Sequence, residues 1–293
     1  AAAGAAMKKG ADVISLSLGS RGSSADNLAE FFSNLTKQKN AAGEYAIVTA
    51  SDGNSGPFDR SLSQPGAGVD VLSVAAAAKS KDDGIPEIAF YSSVGPDIDR
   101  RYAIKRFRLK PDITGIGGDV TTEPGSSNVY KNGVYSTKSK DAQRSASDLE
   151  DGKHTGMSGT SMSNPAVAGI ALLVKLSLRL RGALKGFVAD NLPFVVKAVL
   201  MRSASDMGVP GWFQGAGLVK AWAAVSLVFE SAAAPDGWAW VERLKAVQDG
   251  EDRVFREAEL AKSEFQARQD EENSDESSEE PESRAAAGND SRG

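Results

Sequence analysis

Apolar positions along the chain follow two rhythms. Short, almost unbroken apolar runs alternate with longer stretches in which apolar residues return every third or fourth position. ADVISLSLG carries Val13, Ile14, Leu16 and Leu18 in one nearly continuous run. That pattern predicts a strand covered on both faces. EYAIVTA and VDVLSVAAA are runs of the same kind, each bounded by a Gly/Pro-rich loop. Between the first two lies ADNLAEFFSNLTKQK, where Leu28, Phe31, Phe32 and Leu35 keep helical spacing. A short helix ending near Gly10 precedes the first strand. Strand, helix and strand in this order predict an α/β fold, with a mostly parallel sheet and right-handed crossovers.

The middle of the chain is less regular. AFYSSVGP reads as a short strand with a turn, and DRRYAIKRFRLK as a solvated loop or hairpin with six basic residues between Arg100 and Lys110. A site for an acidic partner is the other reading of that basic run. SNVYKNGVYST sets Asn132-Gly133 between two Val-Tyr pairs, a hairpin signal. Residues 136–153 are polar and read as an exposed loop. From Ser161 to about Leu180 the pattern is helical, with Pro165 expected in the first turn, where a missing N–H does no harm. FVVKAVLMRSA and AGLVKAWAAVSLV predict two more helices. After Phe229, DGWAWVERLKAV and DRVFREAELAKSEFQARQ are amphipathic and charged, like short helices packed on a surface or a partner.

Composition narrows the function classes. The net charge is −5, yet eight of the thirteen residues from Asp270 to Glu282 are acidic. The remainder is slightly basic, too weakly to indicate nucleic acid as a partner. With no cysteine among 293 residues, disulfides and thiolate chemistry are excluded. No apolar run approaches the ~18 residues of a membrane span. The first residues lack the ordered regions of a signal peptide and have no initiator methionine, so the chain is expected to begin partway through a longer protein.

Candidate chemistry concentrates in HTGMSGTSMSNPAVAG, residues 154–169. Ser161 opens an apolar helix, and a serine hydroxyl needs a base before it can attack. The single histidine, His154, lies seven residues upstream. Seven extended residues span ~20 Å, so a loop could fold it back, with Asp148 or Asp151 orienting the ring. The plainer expectation is an exposed loop histidine. Two other motifs fail. GIGGDV lacks the third glycine of a dinucleotide loop. Gly156-Met157-Ser158-Gly159-Thr160 lacks the last glycine of a lipase-type elbow. Three segments remain: GTSMSNP at a helix start, Gly53-Asn54-Ser55-Gly56 at a strand end, and SLSLGS at another strand end. A helix-start N–H and an asparagine amide can stabilise an oxyanion. Exposed strand backbone can bind an extended peptide.

These segments together resemble the subtilisin-like serine proteases, the subtilases. GTSMSNPAVAG is similar to the family's nucleophile signature, with Ala166 where a histidine is usual. GADVISLSLGS resembles its substrate-binding strand and VTASDGNSGP its oxyanion loop. FYSSVGP, LKPDITGIGGDV and FQGAGLVKAWAAV follow in the same order. The resemblance covers roughly residues 1–229. It implies a three-layer α/β fold with a mostly parallel sheet flanked by helices, incomplete at the N-terminus. It further implies Ser161 as the nucleophile and Asn54 as the oxyanion donor. Ser17, Leu18 and Gly19 would line one side of a substrate cleft, with Ser51, Asp52 and Gly53 on the other. Asp52 replaces a small neutral residue; it could favour basic substrate side chains, and the simpler expectation is a solvent-facing carboxylate.

The family's aspartate and histidine motifs precede its substrate strand, and neither occurs in this sequence. In subtilisin itself, losing the histidine costs about 10⁶ in turnover. The chain alone is therefore expected to be inactive, with strand ADVISLSLG left as an open apolar edge. Three readings follow: a serine endopeptidase whose base lies upstream, a pseudoprotease or peptide-binding module, and a split enzyme completed by another chain. Expected domains are residues 1–229 (catalytic portion), 230–268 (amphipathic helical extension) and 269–293 (disordered acidic tail). Peptide or protein is the expected substrate and no cofactor is required. Structural calcium is a family feature that no residue spacing here locates. Family habit favours an extracellular location.

Overall fold

The computed structural model describes residues 1–78, 86–99, 106–119, 133–143, 148–149, 151–253 and 257. The amino-terminal elements are α1 (Ala2–Lys8), β1 (Val13–Leu16), β2 (Ser20–Arg21), α2 (Asn27–Leu35), β3 (Ile47–Ser51), β4 (Ser63–Gln64) and β5 (Leu72–Ala77). Then come β6 (Asp97–Asp99), β7 (Arg106–Arg108), β8 (Ile113–Ile116), β9 (Val134–Thr137) and β10 (His154–Met157). The helical part comprises α3 (Thr160–Leu180), α4 (Gly186–Asp190), α5 (Leu192–Arg202), α6 (Gly211–Gln214) and α7 (Ala221–Ala233). A further helical run, α8, covers residues 239–253.

Four strands form one parallel sheet in the order β1-β3-β5-β8. Alternation along the strands divides its side chains between two cores. Ile47, Leu72, Val74 and Ile113 face α3, α5 and α7, packing on Val167, Val174, Leu178, Val195 and Val199. Ile14, Leu16, Val48, Ala50 and Val71 face the other way and pack on Met7, Phe32 and Leu35 of α1 and α2. The result is three layers, helix–sheet–helix. Each buried Val, Leu or Ile contributes about 1.5–3 kcal/mol relative to exposure, and both β3 and β5 are buried along their full length.

Two ionic clusters anchor the layers. Lys175 of α3, only 1% exposed, stands 2.6 Å from Asp12 and 2.7 Å from Glu44, the residues leading into β1 and β3. Asp112, just before β8, accepts from Lys110 at 2.7 Å, Lys197 of α5 at 2.7 Å and the Ser73 N–H at 2.8 Å. Helix α3 crosses the sheet so closely that a Cβ on Gly115 would stand 2.9 Å from Val167. A glycine there is what allows the approach.

Several sequence expectations are corrected. β1 is covered less completely than expected: Ile14 and Leu16 are buried on one face, while on the α3 face Val13 is only partly buried and Ser15 is exposed, because β1 is the edge of the described sheet. Phe31 keeps helical spacing but is exposed, while Phe32 and Leu35 are buried in the core and Leu28 packs against it. AFYSSVGP forms turns joined to β5 by a single bridge at Ile88, not a strand. β6 and β7 do form an antiparallel ladder. Lys110, counted with its basic run, is instead buried against Asp112. β9 pairs antiparallel with β10, so part of the supposed loop over 136–153 is strand. The first half of the hairpin expected around Asn132 lies outside the described residues.

Helix α3 needs two further corrections. It begins at Thr160, which puts Pro165 inside the helix rather than in its first turn. It is also 21 residues long, with a mean hydropathy of 1.3 over its most apolar window, enough by length and composition to cross a membrane. Its burial against β1, β3, β5 and β8 marks it as a core helix that passes the same test. Helix α7 runs through residue 229, and α8 joins the same core through fully buried Val241. Arg202 of α5 stacks 4.5 Å from the Trp240 ring. The acidic run over 270–282 and most of DRVFREAELAKSEFQARQ lie outside the described residues.

Candidate active site

The carboxyl ends of neighbouring parallel strands are where open α/β sheets bind ligands. β1 and β3 end side by side, with Leu16 paired to Ala50. The chain therefore leaves the sheet as Ser17-Leu18-Gly19 from one strand and Ser51-Asp52-Gly53 from the next. Ser17, Leu18 and Gly19 are exposed. Gly19 abuts β4, where a Cβ would stand 2.5 Å from the Gln64 carbonyl oxygen. β2 then pairs with β4, closing that side of the cleft.

The other side differs from expectation. Ser51 is buried and Asp52 is 0% exposed, so the solvent-facing role expected for Asp52 is wrong. Its carboxylate oxygens have no hydrogen-bond partner within bonding geometry. Burial pushes its pKa well above the usual carboxylate range, and this outweighs the opposing effect of nearby donors, its own backbone and the Ser92 hydroxyl. Asp52 is therefore a buried carboxyl whose charged form burial disfavours. The reason is positional: it continues the fully buried β3, its N–H donating to the Val74 carbonyl.

Asn54 follows on a loop held at several points. The Ser93 N–H donates to the Gly53 carbonyl at 2.9 Å, the Ser55 N–H to Ser93 Oγ at 3.1 Å, and the Gly56 N–H to the Tyr91 carbonyl at 2.9 Å. Asn54 Oδ1 accepts from both the N–H and the hydroxyl of Thr160, each at 2.9 Å. Those two bonds fix the amide by its oxygen, leaving Nδ2 as its remaining donor. Gly159, with φ of 155°, makes the turn into α3, and a Cβ there would stand 3.4 Å from Asn54 Nδ2.

Ser161 is the second residue of α3. Its N–H belongs to the first helical turn, which has no intrahelical acceptor and carries the positive end of the helix dipole. Ser161 Oγ stands 3.5 Å from the Ser17 carbonyl oxygen, and Ser17 Oγ donates to the Ser161 carbonyl at 2.9 Å. Pro165 explains the second bond. In an uninterrupted helix the N–H four residues on would occupy the Ser161 carbonyl. Proline has none, so the carbonyl is open to Ser17.

The structure thus brings Ser161, Asn54 and Ser17 together, with the Thr160 side chain as the link. It does not bring His154 to them. The His154 ring, on β10, has Nδ1 2.6 Å from Asp151 Oδ2 and is exposed. Its hydrogen bond and those of its neighbours hold the Asp151 carboxyl below the usual range. Asp148, the other carboxylate considered for this role, pairs instead with Lys138. Among the described residues, the partner of Ser161 Oγ is a carbonyl oxygen, which cannot act as a base at neutral pH. No group of three or more metal-ligating side chains occurs among the described residues.

The sequence reading missed Thr160 and Ser17 as supports of the site. Pro165, four residues after Ser161, was a legible signal for the open carbonyl. What would occupy that carbonyl was not legible, because Ser17 lies 144 residues away.

Known proteins share this arrangement of segments. The subtilase family model matches residues 1–219. A subtilisin of Bacillus sp. (strain TA39) is 33% identical over 161 residues, covering 54% of this chain and 30% of that protein. A solved lanthipeptide protease superposes with a TM-score of 0.54 at 25% identity, over 77% of this chain and 64% of that one. Proteases from Pseudoalteromonas arctica PAMC 21717 superpose with a TM-score of 0.51 at 24% identity, over 74% of this chain and 51% of that one, a likeness of fold. The chain spans less than two thirds of the length of each of these relatives. With three quarters of its length matched by one family, and with the expected three-layer parallel fold, the chain belongs to the subtilase family.

Proposed function

We propose that the protein carrying this chain is a serine endopeptidase that cleaves peptide bonds through an acyl-enzyme on Ser161. Ser161 Oγ attacks the scissile carbonyl carbon while a general base takes its proton. The oxyanion that forms accepts hydrogen bonds from the Ser161 N–H and Asn54 Nδ2. Collapse of this intermediate breaks the C–N bond, and the base returns the proton to the leaving amine. Water then repeats the sequence and releases the acid. The carrying observation is the clamp of Asn54 Oδ1 by Thr160, one residue before the nucleophile. It fixes the amide through its oxygen and leaves Nδ2 as the donor for an oxyanion, an arrangement that a peptide-binding module has no need of.

In this reading the chain is inactive by itself, because no base stands against Ser161 among the described residues. Base and orienting carboxylate come from a further segment or a second chain. The open edge of β1 and the exposed Leu172, Leu173, Leu176 and Leu180 on one side of α3 supply apolar surface for it to cover. Peptides or proteins are the substrates, bound in extended form beside Ser17–Gly19, and the chemistry requires no cofactor. Labelling with a fluorophosphonate tests the assignment. The full-length protein should be labelled and its Ser161→Ala variant should not; labelling that survives Ser161→Ala overturns the proposal.

A further inference from the structure

We propose that Tyr91 is a positioning residue that sets the spacing between the two halves of the oxyanion hole; this rests on the protease reading above. Tyr91 is attached to both halves at once. Its backbone carbonyl accepts the Gly56 N–H, two residues beyond Asn54. Its hydroxyl reaches the other half, lying 3.0 Å from the Gly117 carbonyl oxygen and 2.7 Å from that of Gly118. The Gly117 carbonyl in turn accepts the Gly159 N–H at 2.9 Å, at the turn that presents Thr160 and Ser161.

The packing around this link leaves little slack. A Cβ on Gly117 would stand 2.6 Å from Ala76, 2.8 Å from the Gly159 carbonyl oxygen and 3.0 Å from the Tyr91 hydroxyl. The ring itself is buried with Ala76 and Ala89. Two carbonyl oxygens facing one hydroxyl require it to remain a donor. Burial raises its pKa beyond the ordinary phenol range, more than the nearby Gly159 backbone lowers it, which keeps the proton in place. The phenol body packs, and its hydroxyl fixes where the nucleophile turn sits relative to Asn54.

The test is Tyr91→Phe in the full-length protein, with kcat and KM resolved on a peptide substrate. The ring and the bond to Gly56 remain; only the hydroxyl is lost. The expected result is a fall in kcat of about 5- to 50-fold with KM within about twofold, as displacement of a reacting geometry produces. In an Asn54→Ala background the same substitution should lower kcat by less than about twofold, because the donor being positioned is gone. Wild-type kcat in Tyr91→Phe overturns the proposal. So does an equal loss with and without the Asn54 amide, which is how general loosening would behave even where the melting temperature also falls. Ser161→Ala, run alongside, separates the two levels. If it keeps wild-type turnover, the protease reading fails; if it is dead while Tyr91→Phe is unimpaired, only the role of Tyr91 fails.

Discussion

Ser17 and Ser161 are joined reciprocally across 144 residues: Ser17 Oγ donates to the Ser161 carbonyl at 2.9 Å, and Ser161 Oγ faces the Ser17 carbonyl at 3.5 Å. The pair ties the substrate strand to the nucleophile helix at the one carbonyl that Pro165 leaves open. Ser17→Ala should lower stability by about 0.5–1.5 kcal/mol, the net worth of a neutral hydrogen bond. Urea unfolding measures this. Pro165→Ala restores an N–H to that carbonyl, so in its background Ser17→Ala should have a smaller effect; full additivity would disprove the link.

The Thr160 clamp on Asn54 predicts an effect on rate larger than on stability. Asn54→Ala in the full-length protein should lower kcat by about 10²–10³, the range already established for this donor in subtilisin. Thr160→Val keeps the shape and the N–H bond but removes the second donor. It should cost less than Asn54→Ala, mainly in kcat. Equal kcat in Thr160→Val and the parent would show that the N–H bond alone suffices.

His154 should be dispensable. His154→Ala breaks only the exposed pair with Asp151, so fluorophosphonate labelling of the full-length protein should proceed at the parental rate. A loss of labelling comparable to that of Ser161→Ala would make His154 the base after all.

Asp52 should be destabilising at neutral pH. Burial raises its folded-state pKa above the unfolded value, so folding favours the protonated form of this group. Stability linked to this group is complete below the unfolded pKa of about 4 and is lost as pH rises through the window up to the folded pKa. Asp52→Ala should remove that decline and raise stability at pH 7 by roughly 1–3 kcal/mol, the penalty of an unpaired buried polar group. A parallel pair of stability–pH curves for parent and variant would count against it.

Asp112 works in the opposite direction. Burial acts to raise its pKa, but Lys110 and Lys197 outweigh burial and hold it below the usual value. Its stabilisation is present above the unfolded carboxylate pKa and is lost as pH falls through the lowered folded value. Asp112→Asn leaves Lys110 buried, where burial already lowers its pKa to about 8. The variant should lose about 3–5 kcal/mol at neutral pH and show a flatter acid limb in chemical unfolding.

The sequence by itself determined most of the elements and pointed to the candidate site residues. Nearly unbroken apolar runs at residues 47–51 and 72–77 specify buried strands, because only a sheet covered on both sides accepts apolar residues facing both ways. Gly159, Ser161 and Asn54 were legible for a similar reason: a tight turn, a helix start and a strand-end amide are local features. Tertiary structure decided everything that depended on distant partners. Asp52 reads as exposed from its turn-rich neighbours, yet the continuation of β3 carries it into the interior. Ser15 sits in an apolar run, yet β1 is the edge of the described sheet and leaves it exposed, with Asn164 of α3 donating to its hydroxyl. The hydrogen bonds of Thr160, Ser17 and Tyr91 carry no local signal, because each reaches a residue far away in the chain. Such bonds depend on how the sheet and α3 are packed, and spacing along the sequence does not encode them.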